Sequence, residues 1–546
     1  MAEFHHQHFA DLLDDWSARQ PDHAFLVDRG RHITYGNFRK RVRSVARGLY
    51  AFGVRPGNRV AVLLPNRVEW FDMAFGAFEL GATVVPLSTW SRSWDLEFCL
   101  RHCEAQVLIT MDEFRGNRYV DYLSELAPEL ASSDRFHLEL PSFPTLRRIV
   151  TITGQASPGM WTLAELLAAG RAVTDHEIDD CRRHAHSDDL AYILYTSGTT
   201  STPKGVMVEH GSCVENGFLI GERQHLTAAD RLWLAVSLSW GLASENALPA
   251  IMTHGGTLVL QESFEADEAL RLFEDEKVTV FYGMPNMIQA LTEHPDRSMR
   301  DCSSLRTGVM IGSSSEVRRA AEDLGVTCIC NVYGSTETYG NCCVTDAEDP
   351  LEVRASCQGL PLLGMDVRIV DPVSREVLEP GQTGDICVGG RVVPGYWNDP
   401  KRTAEAFYEG DYLTGDRGYF DGEGRIHFVG RIKDMIKTGG INVAPAEVEE
   451  FLMSHPDVRQ AYVLGVADPV KTQIVVGIVE LNSDLPLTAR ELRAFCRARI
   501  ASYKIPQHFY FVTESDVPRT GTGKVNKVAL LARVQEWGSS ETGPHE

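Results

Sequence analysis

The chain has 546 residues, 43% of them hydrophobic and 23% charged, which excludes a mostly disordered protein and is too long for one ordinary compact core. A formal net charge of −22 excludes broad electrostatic binding to nucleic acid or to an anionic membrane, so an anionic ligand has to be held by local groups.

Met1 to Leu13 carries His5, His6 and His8 among acidic residues and lacks a basic stretch ahead of an apolar one. It reads as a solvated tail, with no export signal. Asn37 to Phe52 sets Phe38, Val42, Val45, Leu49 and Tyr50 at helical spacing and predicts an amphipathic helix. Arg59 to Leu64 reads as a buried strand, Glu69 to Leu80 as a helix and Thr83 to Leu87 as a second strand. This alternation predicts α/β layers on a largely parallel sheet. Met73 to Leu87 is the best run for a membrane span, but Glu79 interrupts it. No span is expected, and the expected location is the cytoplasm.

Asp112 to Leu146 is polar, holds Pro128, Pro141 and Pro144, and is expected at the surface. From Asp366 the turn pairs Pro380-Gly381, Asp421-Gly422 and Glu423-Gly424 separate short β-rich runs, with Ile426 to Val429 as the second arm of a hairpin. Beyond Arg431 the pattern predicts a helix at Pro445 to Met453, strands at Gln460 to Val466 and Ile474 to Glu480, and a helix at Thr488 to Ile500. The fold class is α/β. A large N-terminal domain over 1–432 has layered sheets and helices with a β-rich subdomain, and a small α+β C-terminal domain covers 433–546. Twelve cysteines include no CxxC pair, and Cys328/Cys330 and Cys342/Cys343 are too close for an ordinary disulfide or zinc framework. They are expected to be buried and reduced.

The strongest chemical signal is Tyr195-Thr-Ser-Gly-Thr-Thr-Ser-Thr-Pro-Lys-Gly205, directly after the apolar run Leu190 to Leu194. Glycine permits close backbone approach, hydroxyls and amides can wrap phosphate oxygens, and Lys204 can neutralise charge. The Gly-Lys-Ser/Thr order of a Walker loop is absent. Four further motifs follow in order: Tyr333-Gly-Ser-Thr-Glu-Thr338, Tyr412-Leu-Thr-Gly-Asp416, Phe428-Val-Gly-Arg-Ile-Lys-Asp-Met-Ile-Lys437 and Pro518-Arg-Thr-Gly-Thr-Gly-Lys-Val-Asn-Lys527.

With these five motifs the chain resembles the acyl-adenylate-forming superfamily of acyl-CoA synthetases, peptide-synthetase adenylation domains and beetle luciferases, from Phe9 to about Leu531. The resemblance implies that Thr196, Ser197, Gly198, Thr199, Thr200 and Lys204 hold the β- and γ-phosphates of ATP. It places Gly312, Ser313, Gly334, Ser335 and Phe428 in the nucleotide site, with Asn331 and Tyr333 bracketing the adenine. Thr336 would contact the α-phosphate and Glu337 would help hold magnesium, a cation that favours oxygen ligands. Asp416 would anchor the ribose, supported by Arg431. Lys524 would carry adenylation, because a preformed ammonium offsets the charge that develops when a carboxylate attacks the α-phosphate. Lys527 reads as an exposed turn cation. The small domain would rotate about Lys433 and bring Lys437, Gly439 and Gly440 to the thiol half-reaction with coenzyme A.

The resemblance also puts the acyl pocket after the strand Leu232 to Val236, with Trp240, Gly241 and Glu245 on its wall. Leu242 is apolar where peptide-synthetase domains hold an acidic partner for an amino group, which disfavours a free α-amino acid. Gly241, Ala243 and Ala247 leave room for a sizeable hydrophobic acid, whether long-chain, alicyclic or terpenoid. Glu245 and Asn246 fit either a polar group on that acid or an exposed helix face. The segment Gly312-Ser-Ser-Ser-Glu316 departs from the Gly-Gly-Ala-Pro-like pattern and puts a simple fatty chain in doubt. The acceptor is coenzyme A or a carrier-protein pantetheine, and a homodimer is compatible with the sequence. A non-catalytic relative is disfavoured because Lys524, Glu337 and Asp416 are all present.

Overall fold

The computed structural model describes residues 7–154, 156–196, 203–432, 434–438, 441–468, 471–482, 487–497, 500, 504–520 and 524–539. The chain divides into two units, one of Met1–Gly312, Glu316–Val367 and Val388–Tyr412, the other of Ser313–Ser315, Arg368–Cys387 and Leu413–Glu546. The first is a layered α/β unit and the second is α+β.

In the first unit, among the described residues, the larger sheet runs in the order Leu360–Pro361, Cys343–Val344, Cys328–Tyr333, Thr307–Met310, Val280–Tyr282, Arg231–Leu234, Thr257–Leu260, Ala24–Asp28 and Arg31–Thr34. From Cys328–Tyr333 to Ala24–Asp28 all neighbours are parallel, and antiparallel strands close both edges. The second sheet runs Lys204–Glu209, Leu190–Thr196, Thr83–Pro86, Arg59–Val62, Val107–Thr110, Arg148–Thr151 and Trp161–Thr162. It is parallel except for the Leu190–Thr196/Lys204–Glu209 hairpin at its edge. Strands such as Thr83–Pro86 and Val107–Thr110 are buried throughout, which is why they read as continuous apolar runs.

The helix Tyr35–Ala51 starts where the Thr34 hydroxyl accepts from the Asn37 amide, and it buries Phe38, Val42, Val45 and Leu49. The apolar run from Met73 to Leu87 is divided between the buried helix Val68–Phe78 and the strand Thr83–Pro86. Glu79, which interrupts it, is fully buried between Arg39 at 3.1 Å and Arg43 at 3.3 Å. No helix among the described residues is long and apolar enough to cross a membrane.

Two sequence expectations are corrected here. Asp112 to Leu146 is more than a surface segment, since Leu123, Leu130, Leu138, Leu140 and Phe143 are all buried. Leu123 lies on the helix Tyr119–Leu126, but Leu130 sits in a short 3₁₀ turn and Leu138, Leu140 and Phe143 in irregular chain, where no regular period marks burial. His8 is not part of a solvated tail. It is 1% exposed, its Nδ1 accepts from the Ala10 amide at 3.1 Å to cap the helix Phe9–Arg19, and its ring stacks on His210 with centroids 3.5 Å apart. All twelve cysteines are free, and all but Cys328 are buried.

In the second unit Asp411–Phe420 and Ile426–Arg431 form the expected hairpin, with Gly424 at φ +77° closing its turn. A second sheet orders Ile441–Val443, Ile436–Thr438, Thr472–Leu481 and Val458–Asp468, with His508–Phe511 parallel to Thr472–Leu481. Helices Pro445–Met453 and Ala489–Arg497 bury Val448, Leu452 and Leu492 against Val463, Val475 and Val479. The helix Lys527–Ser539 brings Leu530 and Val534 to Tyr462, Leu464 and Ile478.

Candidate active site

The strand Leu190–Thr196 buries Ala191 to Leu194 and pairs antiparallel with Lys204–Glu209 in a register that sets Thr196 opposite Lys204. The two ends of the Ser/Thr/Gly loop are thereby held together, while Ser197, Gly198, Thr199 and Thr200 lie outside the described residues. The Thr196 hydroxyl is buried and has no hydrogen-bond partner among the described residues. Lys204 Nζ forms an ion pair with the Glu337 carboxylate and donates to Tyr396 Oη at 2.8 Å. Tyr396 in turn donates to Glu337 Oε1 at 2.9 Å. Burial pushes the pKa of Glu337 up, but the charge and hydrogen bond of Lys204, with Tyr396 behind them, outweigh it and hold the carboxyl below its ordinary range.

Glu337 owes its position to a tight turn. The strand Cys328–Tyr333 ends at Gly334, where an added Cβ would lie 2.4 Å from the Gly340 carbonyl, so only glycine fits. The turn Thr336–Thr338 is closed by the Ser335 amide donating to the Thr338 hydroxyl at 3.0 Å, and the Val393 amide donates to the Glu337 carbonyl at 3.0 Å. Asn331 is 1% exposed, and its Nδ2 donates to the Gly312 carbonyl at 3.3 Å, tying that residue to the strand end. Tyr333 is 8% exposed. Both sit at the C-terminal end of a parallel strand, where ligand crevices open in such sheets.

Past the strand Arg231–Leu234, Trp240 is half-buried and meets Trp90 edge-on at 5.5 Å. A π-helical turn, Leu242–Ala247, follows. It brings Glu245 back over Gly241, where an added Cβ would lie 2.3 Å from Glu245 Oε2 and 3.2 Å from Thr336 Oγ1. The exposed-face reading of Glu245 and Asn246 is therefore wrong. Glu245 is fully buried, and Asn246, 1% exposed, donates to the Gly241 carbonyl at 3.2 Å and accepts from Asn341 at 2.6 Å. A π-turn shifts the register of a helix, so helical spacing alone assigns these side chains to the wrong face.

In the second unit the hairpin register sets Asp416 opposite Arg431, with Nε 3.5 Å from Oδ1. Gly415 adopts φ +73°, and the Asp416 amide donates to the Thr414 hydroxyl at 3.1 Å. Phe428 is 38% exposed on the same hairpin. Ser313 Oγ lies 3.1 Å from Ser315 Oγ at the start of the helix Ser314–Glu322. The Lys524 carbonyl accepts from the Thr520 amide at 2.7 Å, and desolvation, then the Arg431 charge, draws the Lys524 pKa below its ordinary value. Lys527 is half-buried and lies 3.5 Å from Asp434 and 3.9 Å from Glu449, so it is more than an exposed turn cation. Lys437 lies in the strand Ile436–Thr438, whereas Lys433, Gly439 and Gly440 fall outside the described residues.

Residues 13–397 match the family of AMP-binding enzymes, and residues 447–524 match the AMP-binding enzyme C-terminal domain. The chain is an AMP-binding enzyme, of the acyl-adenylate-forming superfamily. Among its relatives, the Bacillus subtilis protein YngI is 33% identical over 98% of each chain. The mitochondrial medium-chain acyl-CoA ligase ACSF2 of Mus musculus is 31% identical over 96% of this chain and 87% of its own. The crystal structure of the anthranilate CoA ligase AuaEII with anthranoyl-AMP superposes with a TM-score of 0.84 at 25% identity, covering 98% of each chain.

In this AMP-binding enzyme the first unit brings together Lys204 with Glu337, Gly312 with Asn331, and Gly241 with Glu245 and Thr336; the second brings Asp416 to Arg431. The donor set fits a nucleotide and its metal. The Thr196 hydroxyl, without a partner among the described residues, and the ammonium of Lys204 suit phosphate oxygens, and the Glu337 carboxylate is a hard ligand suited to magnesium. Sequence reasoning missed Tyr396, which lies 59 residues from Glu337 and outside every motif. No local pattern marks a tyrosine whose only distinction is its partner.

Proposed function

We propose that this AMP-binding enzyme is an ATP-dependent acyl-CoA ligase that activates a hydrophobic carboxylic acid as its acyl-adenylate, releases pyrophosphate and transfers the acyl group to coenzyme A. It is an AMP-forming acid–thiol ligase. The observation that carries the reading is the pair of Lys204 with the buried Glu337 at the foot of the Thr196–Lys204 loop, within a chain matched by both family domains. The ligases ACSF2 and AuaEII support the class of reaction, and their medium-chain and aromatic acids differ enough to leave this chain's acid to be measured.

Each residue has a definite task. Thr196, Ser197, Gly198, Thr199, Thr200 and Lys204 hold the β- and γ-phosphates; Tyr333, with Gly312, Asn331, Gly334 and Ser335, receives the adenosine. Asp416 accepts hydrogen bonds from the ribose hydroxyls, with Arg431 and Phe428 beside it. Magnesium, held by Glu337, would neutralise phosphate charge. The acid arrives as a carboxylate and needs no general base. Its oxygen bonds to the α-phosphorus as the bond to pyrophosphate breaks, while Thr336 donates to the α-phosphate and Lys524 offsets the charge on both reactants. The small domain then turns about Lys433, and the Lys437–Gly440 face guides the thiol, whose sulfur displaces AMP.

Pyrophosphate release with ATP and magnesium, across fatty, alicyclic, aromatic and terpenoid acids with and without coenzyme A, tests this. Pyrophosphate together with acyl-CoA is the expected result for one class of acid. Pyrophosphate without thioester transfers the acceptor role to a carrier protein, and silence with every acid overturns the ligase reading.

A further inference from the structure

Glu245 is the one carboxyl on the π-turn Leu242–Ala247, and it is fully buried. Among the described residues neither of its oxygens has a hydrogen-bond partner. A carboxyl in that condition is costly, and each such group calls for a reason. Burial, and then the charge of Glu337, pushes its pKa well above the ordinary range, toward the protonated form that offers both a donor and an acceptor. Its Oε2 occupies the space beside Gly241 that Thr336 Oγ1 also borders, so the carboxyl stands at the motif where the acid and ATP are proposed to react. The adjoining Trp240, Gly241 and Leu242 are only half-buried, so solvent lies one layer of residues away.

We propose that Glu245 determines specificity by hydrogen-bonding a hydroxyl or oxo group on one of the first carbons beyond the carboxyl of the acid substrate. The proposal rests on the ligase reading and deepens it. A site built around a polar substituent rejects the analogue that lacks it, because its buried group is then left unpaired.

The test compares kcat/KM for pyrophosphate release on matched acids, hexanoate against 3-hydroxyhexanoate and benzoate against salicylate, for wild type, Glu245→Gln and Glu245→Leu. Wild type should favour one hydroxy acid over its parent by about tenfold or more. Glu245→Gln should retain part of that preference. Glu245→Leu should erase it by slowing the hydroxy acid about tenfold more than its parent, and its Tm should rise, since an unpaired buried carboxyl is replaced by an apolar group. Equal slowing on both members of a pair with a lower Tm would make Glu245 structural and overturn the proposal; should Glu245→Leu fail to fold, the ratio for Glu245→Gln decides. Wild-type turnover of the parent acids without preference also overturns it while sparing the ligase reading. Silence of wild type on every acid in the wider panel overturns both.

Discussion

Tyr396 donates its hydroxyl to the Glu337 carboxylate at 2.9 Å while accepting from Lys204 at 2.8 Å, so one phenol oxygen bridges a half-buried ammonium and a buried carboxylate. Tyr396→Phe keeps the ring and removes that bridge. A hydrogen bond to a charged group contributes about 1.5–3 kcal/mol, so the Tm should fall and the KM for ATP should rise as Lys204 loses its guide. Unchanged unfolding and ATP kinetics would show that the phenol anchors neither group.

Lys204→Met strips Glu337 of its cation inside the protein and should destabilise the fold by about 3–5 kcal/mol in denaturant titrations. Lys204→Met combined with Glu337→Gln should recover much of that loss and still release no pyrophosphate. The pH dependence has a definite sign. Glu337 titrates below its unfolded value of 4.5, so the pair's contribution is present above pH 4.5 and is lost as the pH falls through the folded pKa. A double variant as unstable as Lys204→Met alone would mean that charge burial is not the cause.

For Lys524 the proposed role is confined to the first half-reaction. Lys524→Ala should lower pyrophosphate release about 10²–10³-fold, the scale of losing one preorganised electrostatic group, and leave thioester formation from supplied acyl-adenylate intact. The ammonium is the working form, and its pKa lies below 10.5, so the alkaline loss of adenylation should begin earlier than for a solvated lysine. Arg431→Gln removes one of the two causes of that depression and should move the alkaline limb upward. A limb that stays in place would detach it from Lys524.

The rotation proposed about Lys433 would separate the half-reactions. Lys433→Pro should keep adenylation and abolish thioester formation, read as pyrophosphate without acyl-CoA. Survival of both activities would remove Lys433 from the hinge.

The stacked rings of His8 and His210 predict an acid weakness. Burial holds both pKa values well below 6.5, so the fold keeps both neutral while the unfolded chain takes up protons as the pH falls below 6.5. Stability should drop by up to about 1.4 kcal/mol per pH unit for each ring. Urea midpoints at about pH 7.5 and 5.5 should differ less for His210→Phe than for wild type; an equal difference would place the acid sensitivity elsewhere.

Local pattern determined much of this protein. The helix Pro445–Met453 begins and ends where its proline and apolar spacing put it, the Asp421–Gly424 turn made the hairpin that carries Asp416 legible, and five ordered motifs indicated the superfamily. These features lie within short stretches of chain, where backbone geometry and spacing act directly. Tertiary structure decided the rest. Tyr396 became a bridge because its backbone pairs with Val206, beside Lys204, while the Val393 amide donates to the Glu337 carbonyl at 3.0 Å. His8 became a core residue only through His210, 202 positions away. Glu245 turned inward because a π-turn shifted the helix register by one residue. Burial and partnership depend on which distant surfaces meet, and no local spacing encodes that.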